Sequence, residues 1–188
     1  MKFLAILFAA LLGTVSVQAQ EFPGKDPENI LVMQTDQGTV YIEMLPDVAP
    51  KHIEQIKALT RSGYYDQSPF HRVMEGFMAQ GGDKTGTGFG KSDLPDLESE
   101  FSDIPFERGV VGMARAADPN SANSQFFVML ARSSGLDGKY TVWGRVIEGM
   151  DVVDRIKKAP SSERSGIVKD PDYLVRMQVL SDMTGGSS

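Results

Sequence analysis

The sequence predicts an all-β domain, a closed eight-stranded antiparallel β-barrel capped by two α-helices. Three observations carry that expectation. Eight short stretches rich in β-branched and aromatic residues recur along the chain, each bounded by Gly, Pro or Asp. Only two stretches show the apolar spacing of a helix. Strands and helices do not alternate, which argues against a parallel βαβ sheet and favours an antiparallel sheet closed on itself, the arrangement that removes exposed edges.

The elements follow in order. Residues 29–35 and 39–45 flank Asp36-Gln37-Gly38, a Gly-containing connection suited to a hairpin. Pro50 can open a helix whose stripe is Ile53, Ile56 and Leu59, and Gly63 can end it in the left-handed conformation. On that helix His52 is expected on the solvated face. Further strands are expected at 70–74, 77–80, 110–114, 125–130, 141–146 and 173–180, with Trp143 as core packing. A second helix fits 150–157, burying Val152, Val153 and Ile156 and placing Lys157 and Lys158 at its negative end.

The chain has 188 residues, 41% hydrophobic and 23% charged, enough for a single core without covalent staples. It contains no cysteine, which excludes disulfide scaffolds, cysteine nucleophiles and thiolate zinc sites. A formal charge of -6 argues against nucleic-acid binding, because phosphates demand a basic face. At the start, Lys2 precedes an apolar run from Phe3 to Leu12 and then Val17-Gln18-Ala19, the layout of a secretion signal cleaved after Ala19. The run is too short to span a bilayer, so residues 1–19 are expected to be removed and no stable membrane insertion is expected. An exported chain without thiols suits a bacterial periplasm. The remaining divisions are a flexible tail at 20–28, one domain at 29–181 and a second tail at 182–188; a monomer is expected.

Common catalytic constellations are missing. No Gly-x-Ser-x-Gly elbow surrounds a serine, and the two histidines, His52 and His71, lack partners at metal-ligand spacing. Gly86-Thr87-Gly88-Phe89-Gly90 has the look of a phosphate loop without its strand-to-helix setting and lysine, and reads better as a flexible turn needing positive φ.

Three stretches are unusual for a generic barrel: Phe70-His-Arg-Val-Met-Glu-Gly-Phe-Met-Ala-Gln-Gly-Gly-Asp83, Gly109-Val-Val-Gly-Met-Ala114, and Asn123-Ser-Gln-Phe-Phe-Val128 leading to Leu136-Asp-Gly-Lys-Tyr140. With the segment Trp143-Gly-Arg-Val-Ile-Glu-Gly-Met-Asp-Val-Val-Asp154, they give a chain that resembles the cyclophilin family of peptidyl-prolyl cis/trans isomerases from about Ile30 to about Leu180. The resemblance implies an isomerase acting, without metal or cofactor, on Xaa-Pro bonds in unfolded or partly folded exported proteins. A module that holds proline-containing segments with little turnover is the alternative. It further implies Arg72 as the catalytic residue, a proline pocket lined by Phe77, Met78, Phe127 and Leu136, and Gln80 and Gln125 positioning the substrate backbone. Period-two alternation puts Phe70, Arg72 and Met74 on one strand face, Met78 with Gln80, and Gln125 with Phe127. Ala114 matches the family's pocket-floor alanine, with Arg115 and Tyr140 at the rim of the substrate site. Arg115 stands where the family commonly has asparagine, Tyr140 where it often has histidine, and Gly135 where it often has tryptophan. The last departure implies weak cyclosporin binding, since the indole supplies a hydrogen bond to that inhibitor.

Overall fold

The structure, a computed structural model, describes residues 20–184; the expected leader at 1–19 and the last four residues lie outside the described residues. Strands β1 (Ile30–Thr35) and β2 (Gly38–Met44) form the opening hairpin. Thr35 donates its hydroxyl to the Gly38 carbonyl, and Gly38 takes a φ of 136°, which a side chain would oppose. Helix α1 (Pro50–Arg61) follows, with Pro50 in its first turn and Gly63 left-handed beyond its end, as the sequence indicates. The remaining elements are β3 (Ser68–Pro69), β4 (Arg72–Met74), β5 (Met78–Gly81), β6 (Val110–Met113), β7 (Phe126–Met129), β8 (Val142–Glu148), α2 (Met150–Arg155), β9 (Tyr173–Val179) and α3 (Leu180–Thr184).

The nine strands form one antiparallel sheet in the order β3-β9-β1-β2-β8-β6-β7-β5-β4. This corrects the expected closed eight-stranded barrel: the sheet is open and curled, and among the described residues three α-helices accompany it, not two. The physical cause of the extra strand is at Phe70 and His71. The single strand expected at 70–74 belongs to a longer run that bends there, so its first part pairs with β9 and its last part with β5. The two edges of the sheet are thus neighbours in the chain, separated by two residues, and the segment after α2 bridges them. Val168 donates its N–H to the His71 carbonyl and Val73 donates to Gly166. The bend also breaks the alternation expected across it: Phe70 is buried in the interior with Val73, while Arg72 and Met74 turn outward.

One apolar core lies inside the curl, with Leu31, Ile42, Phe126 and Trp143 among its members. Trp143 is buried there as expected, edge-on to Phe126 at 6.0 Å. A second cluster sits on the outer face of β5, β6 and β7 and contains Met78, Phe106, Val110, Phe127, Met129 and Val142. Those strands are buried on both faces, which is why Val110–Met113 and Phe126–Met129 read as continuous apolar runs. The 20–28 stretch, expected as a loose tail, carries Phe22, whose ring centroid lies 5.0 Å from that of Tyr41 and packs on Ile30, Val32 and Leu180.

His52 departs from its expected place on a solvated face. It is wholly buried, with Nδ1 2.6 Å from a carboxylate oxygen of Glu100, which also accepts the backbone N–H groups of Lys51 and His52. Ala49 offers no side-chain cap to α1, so Glu100, distant in sequence, satisfies those orphan donors. No local pattern announces such a cap.

Candidate active site

The outer cluster is open above β5 and β7. Alternation sets its members: Met78 and Gln80 on β5 point outward between the inward Ala79 and Gly81, and Phe127 on β7 points outward between Phe126 and Val128. Register aligns Arg72 opposite Gln80, Gln80 opposite Phe127, and Phe127 opposite Gly112. One row across four strands therefore carries a guanidinium, an amide, an aromatic ring and a residue without a side chain. The glycine is required there, because a Cβ at Gly112 would lie 2.6 Å from atoms of both Phe106 and Phe127.

This row floors a pocket of about 130 Å³ lined by Arg72, Phe77, Met78, Gln80, Ala114, Arg115, Phe127, Leu136 and Tyr140. Nine of the ten residues named from the sequence thus meet at one cavity. Phe77 enters from the β4–β5 turn and Leu136 from a single 3-10 turn at Ser134–Leu136. Phe127 is sandwiched between Phe106, at 5.6 Å and nearly parallel, and Tyr140, at 5.8 Å and edge-on. The tenth residue, Gln125, lines an adjoining cavity of about 470 Å³ that shares Gln80, Ala114 and Arg115 with the first.

Arg72 is held at its stem by a backbone carbonyl and at its tip by one amide oxygen. Nε donates to the Ser165 carbonyl at 2.8 Å, and Nη1 donates to Gln80 Oε1 at 3.3 Å. Its other neighbours are the thioethers of Met78 at 3.9 Å and Met74 at 3.3 Å, weak acceptors that a better one would displace. Partial burial lowers the guanidinium pKa from its ordinary value, Tyr140 acts against this, and the group remains charged at neutral pH.

Gln80 in turn donates Nε2 to Gln125 Oε1 at 2.9 Å, and Gln125 donates its own amide to the carbonyls of Gly88 at 3.0 Å and Gly90 at 2.9 Å. Gly86 and Gly88 take the positive φ expected, at 70° and 83°. The loop is nevertheless tied down, not merely flexible: the buried Asp83 carboxylate accepts from Thr85, Thr87, Gly88 and Gly90. Burial opposes its ionisation, and these hydrogen bonds outweigh burial, leaving its pKa below the ordinary carboxylate value.

At the rim, the Arg115 guanidinium lies 4.4 Å from the centre of the Tyr140 ring and donates to the carbonyls of Lys139, Ala116 and Ala117. Gly135 lies beside Leu136 with open space around it. His71 points away from Arg72 into the protein; burial lowers its pKa against the pull of Asp83. Sequence reasoning missed Ser165, whose carbonyl anchors Arg72, and the buried role of Asp83. Nothing in the spacing links Ser165 to Arg72, whereas an aspartate opening a glycine-rich turn is a readable signal.

Residues 30–179 match the family model described as "Cyclophilin type peptidyl-prolyl cis-trans isomerase/CLD". A Brucella suis protein named "Probable peptidyl-prolyl cis-trans isomerase" is 47% identical, covering 94% of this chain and 95% of that one. The rat "Peptidyl-prolyl cis-trans isomerase-like 3" is 41% identical, covering 72% of this chain and 86% of its own. Among solved structures, a cyclophilin from Hirschia baltica superposes with a TM-score of 0.75 at 33% identity, covering 84% of this chain and 76% of that chain. A Cryptosporidium parvum cyclophilin type peptidyl-prolyl cis-trans isomerase, solved in the presence of the dipeptide Ala-Pro, gives 0.74 at 30% identity, covering 80% of this chain and 98% of that chain. Sequence and structural likeness over the whole described domain place this chain in the cyclophilin-type peptidyl-prolyl cis-trans isomerase family, a family of isomerase enzymes to which it belongs.

Proposed function

We propose that this isomerase acts on Xaa-Pro bonds of unfolded or partly folded exported proteins, with Arg72 as its catalytic residue. The observation that supports this most is a charged guanidinium whose Nη groups meet one amide oxygen, Gln80 Oε1, and two thioethers beside a small apolar pocket. Rotation about the prolyl bond is slow because it breaks amide resonance, a barrier of about 18–20 kcal/mol. No bond to the substrate need form. In the twisted state the prolyl nitrogen becomes pyramidal and a better hydrogen-bond acceptor, so a fixed donor aimed at it binds the transition state more tightly than either planar isomer. The proline ring would enter among Phe77, Met78, Phe127 and Leu136, where burial of apolar surface holds it without polar competition. Gln80 and Gln125 would hold the flanking backbone, Ala114 would meet it at the floor, and Arg115 and Tyr140 would contact residues beyond the proline.

Export rests on the leader at 1–19, and the place of action is the bacterial periplasm. The chain acts as a monomer. A protease-coupled isomerase assay on a Xaa-Pro tetrapeptide, run on wild type and Arg72→Ala, tests the activity; binding of the peptide without turnover would make the protein a holding module instead. Fractionation with N-terminal sequencing tests export, the expected mature end being Gln20 in the periplasmic fraction and the contrary result an uncleaved chain in the membrane pellet.

A further inference from the structure

We propose that Asp83 is a positioning residue of this isomerase, fixing the orientation of the Arg72 guanidinium through Gln125 and Gln80. This rests on the reading of Arg72 as the catalytic residue. The inference starts from the two oxygens of one buried carboxylate, which serve different neighbours. Asp83 Oδ1 accepts from the backbone and hydroxyl of Thr85, at 2.8 and 2.7 Å, and so closes the turn that follows it. Oδ2 accepts from the N–H groups of Gly88 at 2.7 Å and Gly90 at 3.0 Å. Those two glycines are the ones whose carbonyls receive the Gln125 amide.

Polarity then passes along the side chains in one sense only. Both hydrogens of Gln125 Nε2 are taken by carbonyls, so a flipped amide would set its oxygen against two other oxygens. Gln125 Oε1 is therefore turned to Gln80 and receives its Nε2 at 2.9 Å. With its nitrogen so engaged, Gln80 presents Oε1 to Arg72, at 3.3 Å from Nη1. Reversing Gln80 would bring its NH₂ group against the guanidinium, and reversing Gln125 would bring its NH₂ group against that of Gln80. Asp83 itself touches none of the residues that line the smaller pocket, and among the described residues it joins no ion pair, so a burial this deep is not explained by charge pairing. The placement of a donor is what such an arrangement secures, and misplacement by an ångström is costly to a rate.

The test compares Asp83→Asn with Thr85→Val, which removes the hydroxyl contacts to Asp83 Oδ1 and to Thr87 and leaves the Gly88 and Gly90 N–H groups on Oδ2, and with Arg72→Ala. Asp83→Asn is expected to lower kcat about tenfold with KM unchanged, and to move the Gln80 and Gln125 side-chain amide signals in ¹⁵N NMR spectra. Thr85→Val is expected to lower the melting temperature and leave kcat alone. In the wild type, scalar couplings across hydrogen bonds should join Gln125 Nε2 to the carbonyl carbons of Gly88 and Gly90, a measurement that needs no variant to fold. Absence of those couplings overturns the proposal, as does a Thr85→Val protein whose kcat falls as far as that of Asp83→Asn. Wild-type kcat in Asp83→Asn together with a large loss in Arg72→Ala removes the role of Asp83 and keeps Arg72. Wild-type kcat in both removes the reading of Arg72, and this proposal with it.

Discussion

Gly112→Ala should damage the site from beneath, and the structure gives the size of the effect. A Cβ at this position would lie 2.6 Å from Phe106 Cε1, 2.6 Å from Phe127 Cζ and 3.0 Å from Phe127 Cε2, where ordinary contact begins near 3.4 Å. About an ångström of movement is needed. Phe106 is wholly buried and has nowhere to go, whereas Phe127 faces the pocket and can yield into it. Overpacking of this kind costs about 1–3 kcal/mol. In a domain of this length, a loss of about 2 kcal/mol lowers the melting temperature by roughly 4–8 °C. The displaced ring intrudes on a cavity of only 130 Å³, so the proline ring loses depth and KM should rise more than kcat falls. Thermal melting and a protease-coupled assay over a range of peptide concentration measure both. Phe106→Leu in the same chain should recover part of each loss by freeing space beside the new methyl group. Wild-type melting and wild-type KM in Gly112→Ala would refute the claim that Phe127 is pressed between Gly112 and the pocket.

Phe127→Ala should lose activity and up to about 3–5 kcal/mol of stability, the cost of deleting a buried ring that leaves a cavity; a denaturant midpoint equal to wild type would place the ring outside the packed cluster. Gly135→Trp should bind cyclosporin about tenfold more tightly than wild type, a hydrogen bond being worth about 1 kcal/mol before any ring contact, because the position has open space and no positive φ; equal dissociation constants by titration calorimetry would show that Gly135 is not the missing tryptophan's position. Stability should decline on acidification. Burial lowers the folded-state pKa of His52, with Glu100 opposing, and burial likewise lowers that of His71, so below about 6.5 the unfolded chain binds protons that the folded chain refuses. That contribution is complete above about pH 6.5 and is lost as pH falls. The urea midpoint should be lower at pH 5.5 than at pH 7.5, and an equal or higher one would mean that the imidazoles are charged when folded.

The sequence makes the site more legible than the frame around it. Residues on β5, on β7 and just before β7 could be assigned to the cleft because alternation is intact there: Met78, Gln80 and Phe127, with Gln125 one residue before β7, all lie where period two puts them. It fails for Phe70 because the chain bends at Phe70 and His71, and a bend imposed by two different pairing partners leaves no mark in local pattern. The same bend turns an expected closed barrel into an open, curled sheet of nine strands. Helix α3 leaves no helical stripe in the sequence, because only Leu180 and Met183 of its residues are apolar and Leu180 also completes the pattern of strand β9. His52 departs from expectation because the buried face of its helix is wider than the Ile53, Ile56 and Leu59 stripe and takes in His52 and Gln55, with Glu100, 48 residues away, receiving the imidazole. Ser165 was invisible, since a backbone carbonyl carries no residue identity.

The central claim is that catalysis comes from the Arg72 guanidinium held over the proline pocket. Its most direct test is the isomerisation rate of Arg72→Ala on a Xaa-Pro tetrapeptide, measured beside its melting temperature. Deleting one preorganised donor should lower kcat/KM by about 10²–10³, or about 2.7–4 kcal/mol of barrier. Folding should be little affected, because Arg72 is only part-buried and is held by hydrogen bonds to a carbonyl and an amide, with no ion pair to a carboxylate among the described residues. A folded Arg72→Ala protein that isomerises at the wild-type rate would contradict the account and leave the apolar pocket as the source of the acceleration.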